Sequence, residues 1–273
     1  MARSLRLCAA PGAQRVVDHV RIIRGEHSAT ALRDLLATPP VDAAAWMEQH
    51  TRLLKSDTHC RVGLLSLQQQ EFYLKLYLLK SAPQGLLLRL GPRLNRAVRS
   101  FEVAAKLVKS AVPVPAPKAC LQVPGGMLLV AEAITGSDNL HDVWRQQSAD
   151  ERADRWLRGA GEAIARLHLA GYAHGDCKWH NLLWTGERVY LVDLDGAGKA
   201  ARGGAGQARD LARFTLNAEE LTLSTALYEQ FLQAYLQLAG GSREAVVNRM
   251  LPILCKLRDR HLAKYGERGQ RLF

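Results

Sequence analysis

The run His174-Gly175-Asp176-Cys177-Lys178-Trp179-His180-Asn181, with Asp193 twelve residues beyond Asn181, holds the residue types that phosphoryl transfer requires, in a workable order. In kinase-type chemistry one carboxylate orients the acceptor hydroxyl, while an amide and a second carboxylate hold magnesium against nucleotide phosphates. The acceptor proton leaves late in a loose transition state, so the first carboxylate mainly positions, and a short side chain on a rigid loop suits that task. Asp176 is the residue so placed. Asn181 offers a neutral oxygen and Asp193 a charged one, a donor pair suited to Mg2+, which keeps part of its water shell. Lys178 can reach a transferred phosphoryl group and offset the charge that develops on it. His174 reads as a packing and hydrogen-bonding residue that holds the loop.

Regular elements are expected on either side of this run. Ser148 and Glu151 form a capping-box pattern, and Ala153, Trp156, Leu157, Ala160, Ile164 and Leu167 recur at helical spacing before Gly171 ends the helix. Leu182-Leu183-Trp184 and Val189-Tyr190-Leu191-Val192 flank Thr185-Gly186-Glu187-Arg188 as a hairpin, which puts Asp193 just past a buried strand. An isolated H-G-D is common by chance, and D-x-D after a strand can be a self-capping turn. The ordered combination between a helix and a hairpin carries the reading, since context is what confirms a motif.

The segments HGDCKWHNLLW, LVDLDGA and RDLARF resemble the lipopolysaccharide kinase family (Kdo and core-heptose kinases, WaaP and InaA-like) of the protein-kinase-like superfamily, over roughly residues 50 to 220. Aminoglycoside and choline phosphotransferases share H-G-D-x4-N, so that element alone does not choose; Arg209-Asp210-Leu211-Ala212-Arg213-Phe214 favours the lipopolysaccharide group. The resemblance implies an α+β, two-lobed protein-kinase-like fold with a small β-rich N-terminal lobe and a larger helical C-terminal lobe. It implies ATP and Mg2+ as cofactors and a glycolipid or sugar acceptor, and it places Asp210 in a helix that braces the catalytic loop. The corresponding division is 1–45, an N-terminal extension; 46–134, a nucleotide-binding lobe; and 135–273, a helical catalytic lobe.

Such an N-terminal lobe needs a lysine for the nucleotide phosphates and a glutamate to hold it. Glu71 to Leu78 reads as a strand with Lys75 at its centre, and Phe101 to Val108 as a helix carrying Glu102, so a Lys75–Glu102 pair is expected. Lys80 is the competing lysine, and a strand lysine can also be an edge residue facing water. Tyr73 is bulkier than the residue many kinases keep beneath adenine. No G-x-G-x-x-G is present; its place falls near Ser56, Asp57, Thr58 and Gly63. Val112 to Pro117 is proline-restricted and extended, Pro124-Gly125-Gly126 is a turn, and Met127 to Val130 a strand entering a hinge. Glu132, Ala133 and Ile134 would there offer backbone groups to adenine.

With 273 residues, 48% of them hydrophobic, the chain can bury two lobes of one catalytic unit. No apolar run reaches membrane-spanning length, and Met1 to Ala10 makes a poor signal peptide, so a cytoplasmic protein is expected, peripheral at the inner membrane if its acceptor is a glycolipid. Five scattered cysteines without C-x-x-C read as free thiols, with Cys177 a packing residue, and the histidines show no H-x3-H spacing, so no bound transition metal is expected. The net charge of +11, with clusters at Arg89, Arg93, Arg96 and Arg99 and at Arg152, Arg155 and Arg158, suits either an anionic lipid surface or ordinary solvated faces. Basic and aromatic residues do not interleave, so nucleic acid is not the expected partner.

From Leu221 to Leu262 the chain reads as two or three helices separated at Gly240-Gly241-Ser242, with Pro252 a kink point. The first 45 residues carry no legible motif. Only fourteen residues separate Asp195 from Asp210, without A-P-E, which is too short for a peptide-docking activation segment. The expectation is therefore an ATP-dependent kinase of a sugar hydroxyl in lipopolysaccharide core, heptose or Kdo. The alternatives are a small-molecule phosphotransferase of aminoglycoside or choline type and an atypical protein kinase. A catalytically inactive binder would be expected to have lost Lys75, Asp176, Asn181 or Asp193, and all four are present.

Overall fold

The computed structural model describes residues 20–25, 33–34, 36, 42–67, 69–78, 95–147 and 153–273. The chain packs as two compact units: residues 1–98 with 118–130, and residues 99–117 with 131–273.

The first unit is built on an antiparallel-rich sheet of six strands in the order β1-β5-β6-β4-β3-β2. These are β1 (Arg21–Gly25), β2 (Arg52–Ser56), β3 (Cys60–Leu67), β4 (Gln70–Leu78), β5 (Pro117–Val123) and β6 (Gly126–Glu132). The helix α1 (Ala43–His50), capped by the Asp42 carboxylate on the Ala44 N–H at 2.9 Å, buries Ala43, Trp46 and Met47 in one cluster with Leu65, Leu74, Leu76, Leu121 and Leu128. Strand periodicity then puts Tyr73, Lys75 and Tyr77 on the face of β4 opposite Leu74 and Leu76. β4 lies between β6 and β3, with Lys75 registered against Val62, and Lys75 is only 8% exposed. The edge-strand reading of Lys75 is thereby removed. Lys80 lies outside the described residues.

In the second unit α2 (Arg96–Lys109) contributes Val103, Ala104 and Leu107 to the core, with α3 (Leu140–Gln147), α4 (Ala153–Leu169), α5 (Ala205–Glu220), α6 (Thr225–Ala239) and α7 (Arg243–Tyr265) around it. Trp156 and Trp179 meet edge-on at 5.5 Å, Trp179 and Phe214 are tilted at 5.3 Å, and Phe214 stacks on Phe231 at 3.9 Å, so aromatic rings join three helices and the turn that carries Trp179. α4 crosses α6 at Gly161, where a Cβ would stand 2.4 Å from the Phe231 carbonyl oxygen; only glycine permits that approach. The short strands are β7 (Asp138–Asn139), β8 (Tyr172–Ala173), β9 (Leu182–Trp184), β10 (Val189–Leu191) and β11 (Gly198–Lys199), forming sheets β10-β9-β7 and β11-β8.

The mixed α and β architecture, strands first and most helices after, is the one expected. The hairpin β9–β10 closes through the Thr185 N–H on the Arg188 carbonyl, and Gly171 ends α4 with φ 79°. Pro252 sits inside α7 without ending it, and Leu221 and Leu223 fall in the turn before α6. The expected capping residues Ser148 and Glu151 lie outside the described residues.

The division differs from the expected one in three places, one of them residues 131–134, which pack with the second unit. β1, inside the 1–45 segment, pairs with β5 and belongs to the sheet, and residues 99–117 pack with the second unit although they precede its main body. Among the described residues no helix is long and apolar enough to cross a membrane.

Candidate active site

The loop between β8 and β9 is held from α5. At the first turn of that contact, the fully buried Asp210 accepts the backbone N–H of His174 at 2.5 Å and that of Gly175 at 2.8 Å. His168 Nε2 lies 3.3 Å from the same carboxylate, and its Nδ1 meets the Tyr235 hydroxyl at 2.9 Å. Burial pushes the Tyr235 phenol up to about 12, so it stays a neutral partner in that network. One turn on, Arg213 Nη1 lies 2.9 Å from Asp176 Oδ1; a further turn on, Asn217 Oδ1 accepts the Trp179 N–H at 3.0 Å, and the Phe214 carbonyl accepts the Trp179 indole N–H at 3.1 Å. Positions 210, 213, 214 and 217 share one helical face by the 3.6-residue period, so a single rigid element fixes four points of the loop.

The loop's own residues complete the arrangement. His174 is wholly buried, and its Nε2 donates to the Val192 carbonyl at 2.9 Å, tying the loop to the residue before Asp193. Gly175 has φ 82°, and a Cβ there would stand 2.5 Å from the Gly196 carbonyl oxygen, so the two segments touch backbone to backbone. Asp176 is met on Oδ2 by Lys178 Nζ at 3.0 Å, and the Asn181 amide nitrogen donates to its carbonyl at 2.8 Å and to Oδ2 at 3.3 Å. Cys177 is buried, and burial pushes its thiol well above the usual range, with the Asp210 and Asp176 charges adding to the effect; it is a packing residue and no nucleophile.

Asp193 precedes a 3-10 turn (Leu194–Gly196) in the left-handed region, φ 60° and ψ 60°, a conformation that costs a residue with a Cβ about 1 to 2 kcal/mol and that Asp tolerates better than most. Asp195, two residues on, is turned to α2: its Oδ1 accepts the Ser100 hydroxyl at 3.1 Å, and its carbonyl accepts the Arg99 guanidinium.

Thus Asp176, Lys178 and Asn181 are brought into direct contact, and Asp193 is linked to them through Val192, whose N–H donates to the Asn181 carbonyl at 3.0 Å. Lys75 belongs to the first unit, where its Nζ lies 5.3 Å from the Tyr77 ring centroid, and Glu102 to the second, on α2. In the hinge segment the Glu132 N–H already donates to the Ala116 carbonyl at 2.9 Å, and the Ile134 carbonyl accepts the Ser137 hydroxyl at 2.6 Å, with Ala133 between. Gly63 lies within β3 and makes room for Thr51, outside the β2–β3 turn. That turn is closed by Asp57, whose carboxylate accepts the His59 and Cys60 N–H groups and meets Lys55, contacts that hold it well below the usual carboxylate range.

Arg213 and Asn217 are functional neighbours that the sequence reading did not assign. The only signal was spacing, since Asp210, Arg213 and Asn217 at i, i+3 and i+7 share one helical face.

Four similarities bear on the family and the fold. A model of the lipopolysaccharide kinase (Kdo/WaaP) family matches residues 44–235. A 3-deoxy-D-manno-octulosonic acid kinase of Xanthomonas axonopodis pv. citri (strain 306) is 29% identical over 103 residues, 37% of this chain and 41% of that protein, so the match spans less than half the length of this curated relative. The fold of WaaP, solved in complex with acyl carrier protein, aligns with a TM-score of 0.60 and 16% identity over 90% of this chain and 99% of that one. That of a spectinomycin phosphotransferase in complex with ADP and spectinomycin aligns with a TM-score of 0.53 and 9% identity, over 84% and 90%. At these identities the solved structures speak for the fold alone.

Proposed function

The chain belongs to the lipopolysaccharide kinase (Kdo/WaaP) family, and from that premise we propose that it transfers the γ-phosphoryl group of ATP to a sugar hydroxyl of lipopolysaccharide core, heptose or Kdo. The observation that carries the reading is the Asp176 carboxylate, held between Arg213, Lys178 and Asn181 on a loop whose backbone is pinned by buried Asp210. A carboxylate fixed on three sides and still about one-third exposed, 35% by side chain, can receive an acceptor hydroxyl without reorganising.

In this reading Asp176 orients the hydroxyl and takes its proton. Lys178 rests on Asp176 Oδ2, beside the carboxylate that would receive the acceptor, and would offset the charge that develops on the transferred phosphoryl group. Arg213 acts through Asp176 as a positioning residue. For Mg2+ the donor chemistry fits: the nitrogen end of Asn181 is committed to Asp176, which turns its oxygen end to other use, and Asp193 adds a carboxylate; both are hard oxygen donors. Held by those two residues, such an ion would offset negative charge on the nucleotide phosphates. Lys75, buried on a central strand, is the proposed phosphate lysine and Glu102 its functional partner, with Glu132, Ala133 and Ile134 proposed to face adenine.

A glycolipid acceptor would bring a chain of net charge +11 to an anionic surface, as a peripheral contact. Of the expected basic clusters Arg89, Arg93 and Arg152 lie outside the described residues, while Arg99 meets the Asp195 carbonyl and Arg158 the Gln230 amide oxygen, so the support offered is the overall charge. The deciding experiment assays the purified protein for ATP turnover against dephosphorylated core oligosaccharides, small alcohols and aminoglycosides. Phosphorylation of a core heptose or Kdo, lost in Asp176→Asn, is expected. Turnover confined to small alcohols or aminoglycosides would overturn the acceptor class.

A further inference from the structure

We infer that His141, Asp142 and His180 form a binding site for one divalent transition-metal ion of the Zn2+ class, separate from the oxygen-donor pair Asn181 and Asp193. One ligand atom from each of the three residues lies within 4.8 Å of the others. Ligands of a tetrahedral zinc ion with bonds of about 2.0–2.1 Å stand roughly 3.3 Å apart, so side-chain rotations, a turn of one stacked imidazole among them, close the set. The residues come from two elements: His141 and Asp142 from the first turn of α3, and His180 from the 3-10 turn Trp179–Asn181 that carries the loop's asparagine.

Two features make the group more than a coincidence of neighbours. The His141 and His180 imidazoles lie face to face with centroids 4.1 Å apart and planes 24° apart, so the two rings are already neighbours, and one must turn out of the stack for both in-plane lone pairs to meet one ion. The Asp142 carboxylate is oriented as well: Asn139 Nδ2 donates to Oδ2 at 2.7 Å, the Asn139 side-chain oxygen accepts the Asp142 N–H at 3.1 Å, and Oδ1 stands 3.0 Å from His141 Nδ1. A ligating carboxylate fixed by an outer hydrogen bond is the arrangement that raises metal affinity.

The donor set chooses the metal. Two imidazoles and one carboxylate favour zinc, nickel or copper over magnesium, which prefers all-oxygen octahedra. The side chains are 22% exposed at His141 and 50% at Asp142, so an ion can enter from solvent and keep water in a fourth position. Its placement has a consequence. His180 directly precedes Asn181, so a bound ion ties the turn holding Asn181 to α3.

The test is direct binding to the full-length protein in excess Mg2+, with Zn2+ by calorimetry and Co2+ by its visible absorption. Wild type should bind one ion with a tetrahedral Co2+ spectrum lacking thiolate charge-transfer bands, and raise its melting temperature with Zn2+. His141→Ala should weaken that binding by more than about tenfold. If that variant does not keep the apo melting temperature, His180→Ala, which removes a ligand outright at an exposed position, decides in its place. Equal affinity in wild type and the decisive variant, or a spectrum with thiolate bands, would overturn the site.

Discussion

Asp210 and Arg213 stand one helical turn apart on α5 and hold consecutive parts of one loop, Asp210 the backbone N–H groups of His174 and Gly175, Arg213 the carboxylate of Asp176. Their environments differ, and so should their losses. Asp210 is fully buried, and Asp210→Ala leaves the buried His174 N–H without an acceptor, at about 1 to 3 kcal/mol, and frees the half-buried Gly175 N–H as well, so the apo melting temperature should drop clearly. The Arg213–Asp176 pair is more than one-third exposed on both sides, where such a pair contributes at most about 1 kcal/mol. Arg213→Ala should therefore melt nearly as wild type yet lose about tenfold in kcat with KM for ATP unchanged, and Arg213→Lys should recover part of it. Equal stability losses in the two variants would show that Arg213 is merely structural.

Asp176→Asn keeps the shape of the side chain and removes its capacity to take a proton. Turnover should fall by roughly a hundredfold or more with nucleotide affinity nearly intact. Steady-state kinetics with a core-sugar acceptor, paired with nucleotide titration, make the comparison. Turnover near wild type would remove Asp176 from the acceptor role.

The loop from His174 to Asn181 was legible because its chemistry is local: eight consecutive residues supply the carboxylate, the lysine and the amide. What braces it was only half legible. RDLARF stood out, but that Arg213 reaches Asp176 and Asn217 reaches Trp179 depends on how α5 lies against the loop, which periodicity does not report. Ser100 and Asp195, or His141 and His180, are paired by packing between elements far apart in the chain. Residues 99–117 were assigned to the first lobe for a related reason: an amphipathic helix announces that Val103, Ala104 and Leu107 are buried, not which core receives them. β1 was missed because RIIRG is short, has a register shift against β5 and alternates poorly.

Asp193 and Asp195 can be separated by their conformations. Asp193 sits in the left-handed region, so Asp193→Ala should lower the apo melting temperature slightly and abolish the Mg2+-dependent part of the nucleotide-induced thermal shift. Asp193→Asn, which tolerates that backbone, should lose the shift alone. Asp195→Ala should keep it, because the Asp195 carboxylate is engaged with Ser100. Loss at Asp195 with retention at both Asp193 variants would transfer the metal assignment.

Cys177 gives a prediction about reactivity. Burial and the neighbouring aspartates hold its thiol well above its ordinary value, so the thiolate is scarce at neutral pH and becomes more abundant only as pH rises. In the native protein iodoacetamide should modify exposed Cys255 within minutes and leave Cys177 unmodified until denaturant is added, as read by peptide mass spectrometry. Rapid native labelling of Cys177 would mean that the loop opens to solvent.

Lys75 and Glu102 test the nucleotide half of the proposal. Lys75 lies buried on a central strand, where a lysine without an assigned task would be costly, and Glu102 lies on α2, the helix that Ser100 and Arg99 fasten to Asp195. If the two act as one unit, each alanine variant should lose most of the turnover and the double variant little more, because residues in one functional unit are strongly non-additive. Each variant is first checked for an unchanged apo melting temperature, then assayed at saturating ATP with the same acceptor. Lys80→Ala, at the competing position, should be mild. Additive losses at Lys75 and Glu102, or a severe loss at Lys80 alone, would move the phosphate-binding role away from Lys75.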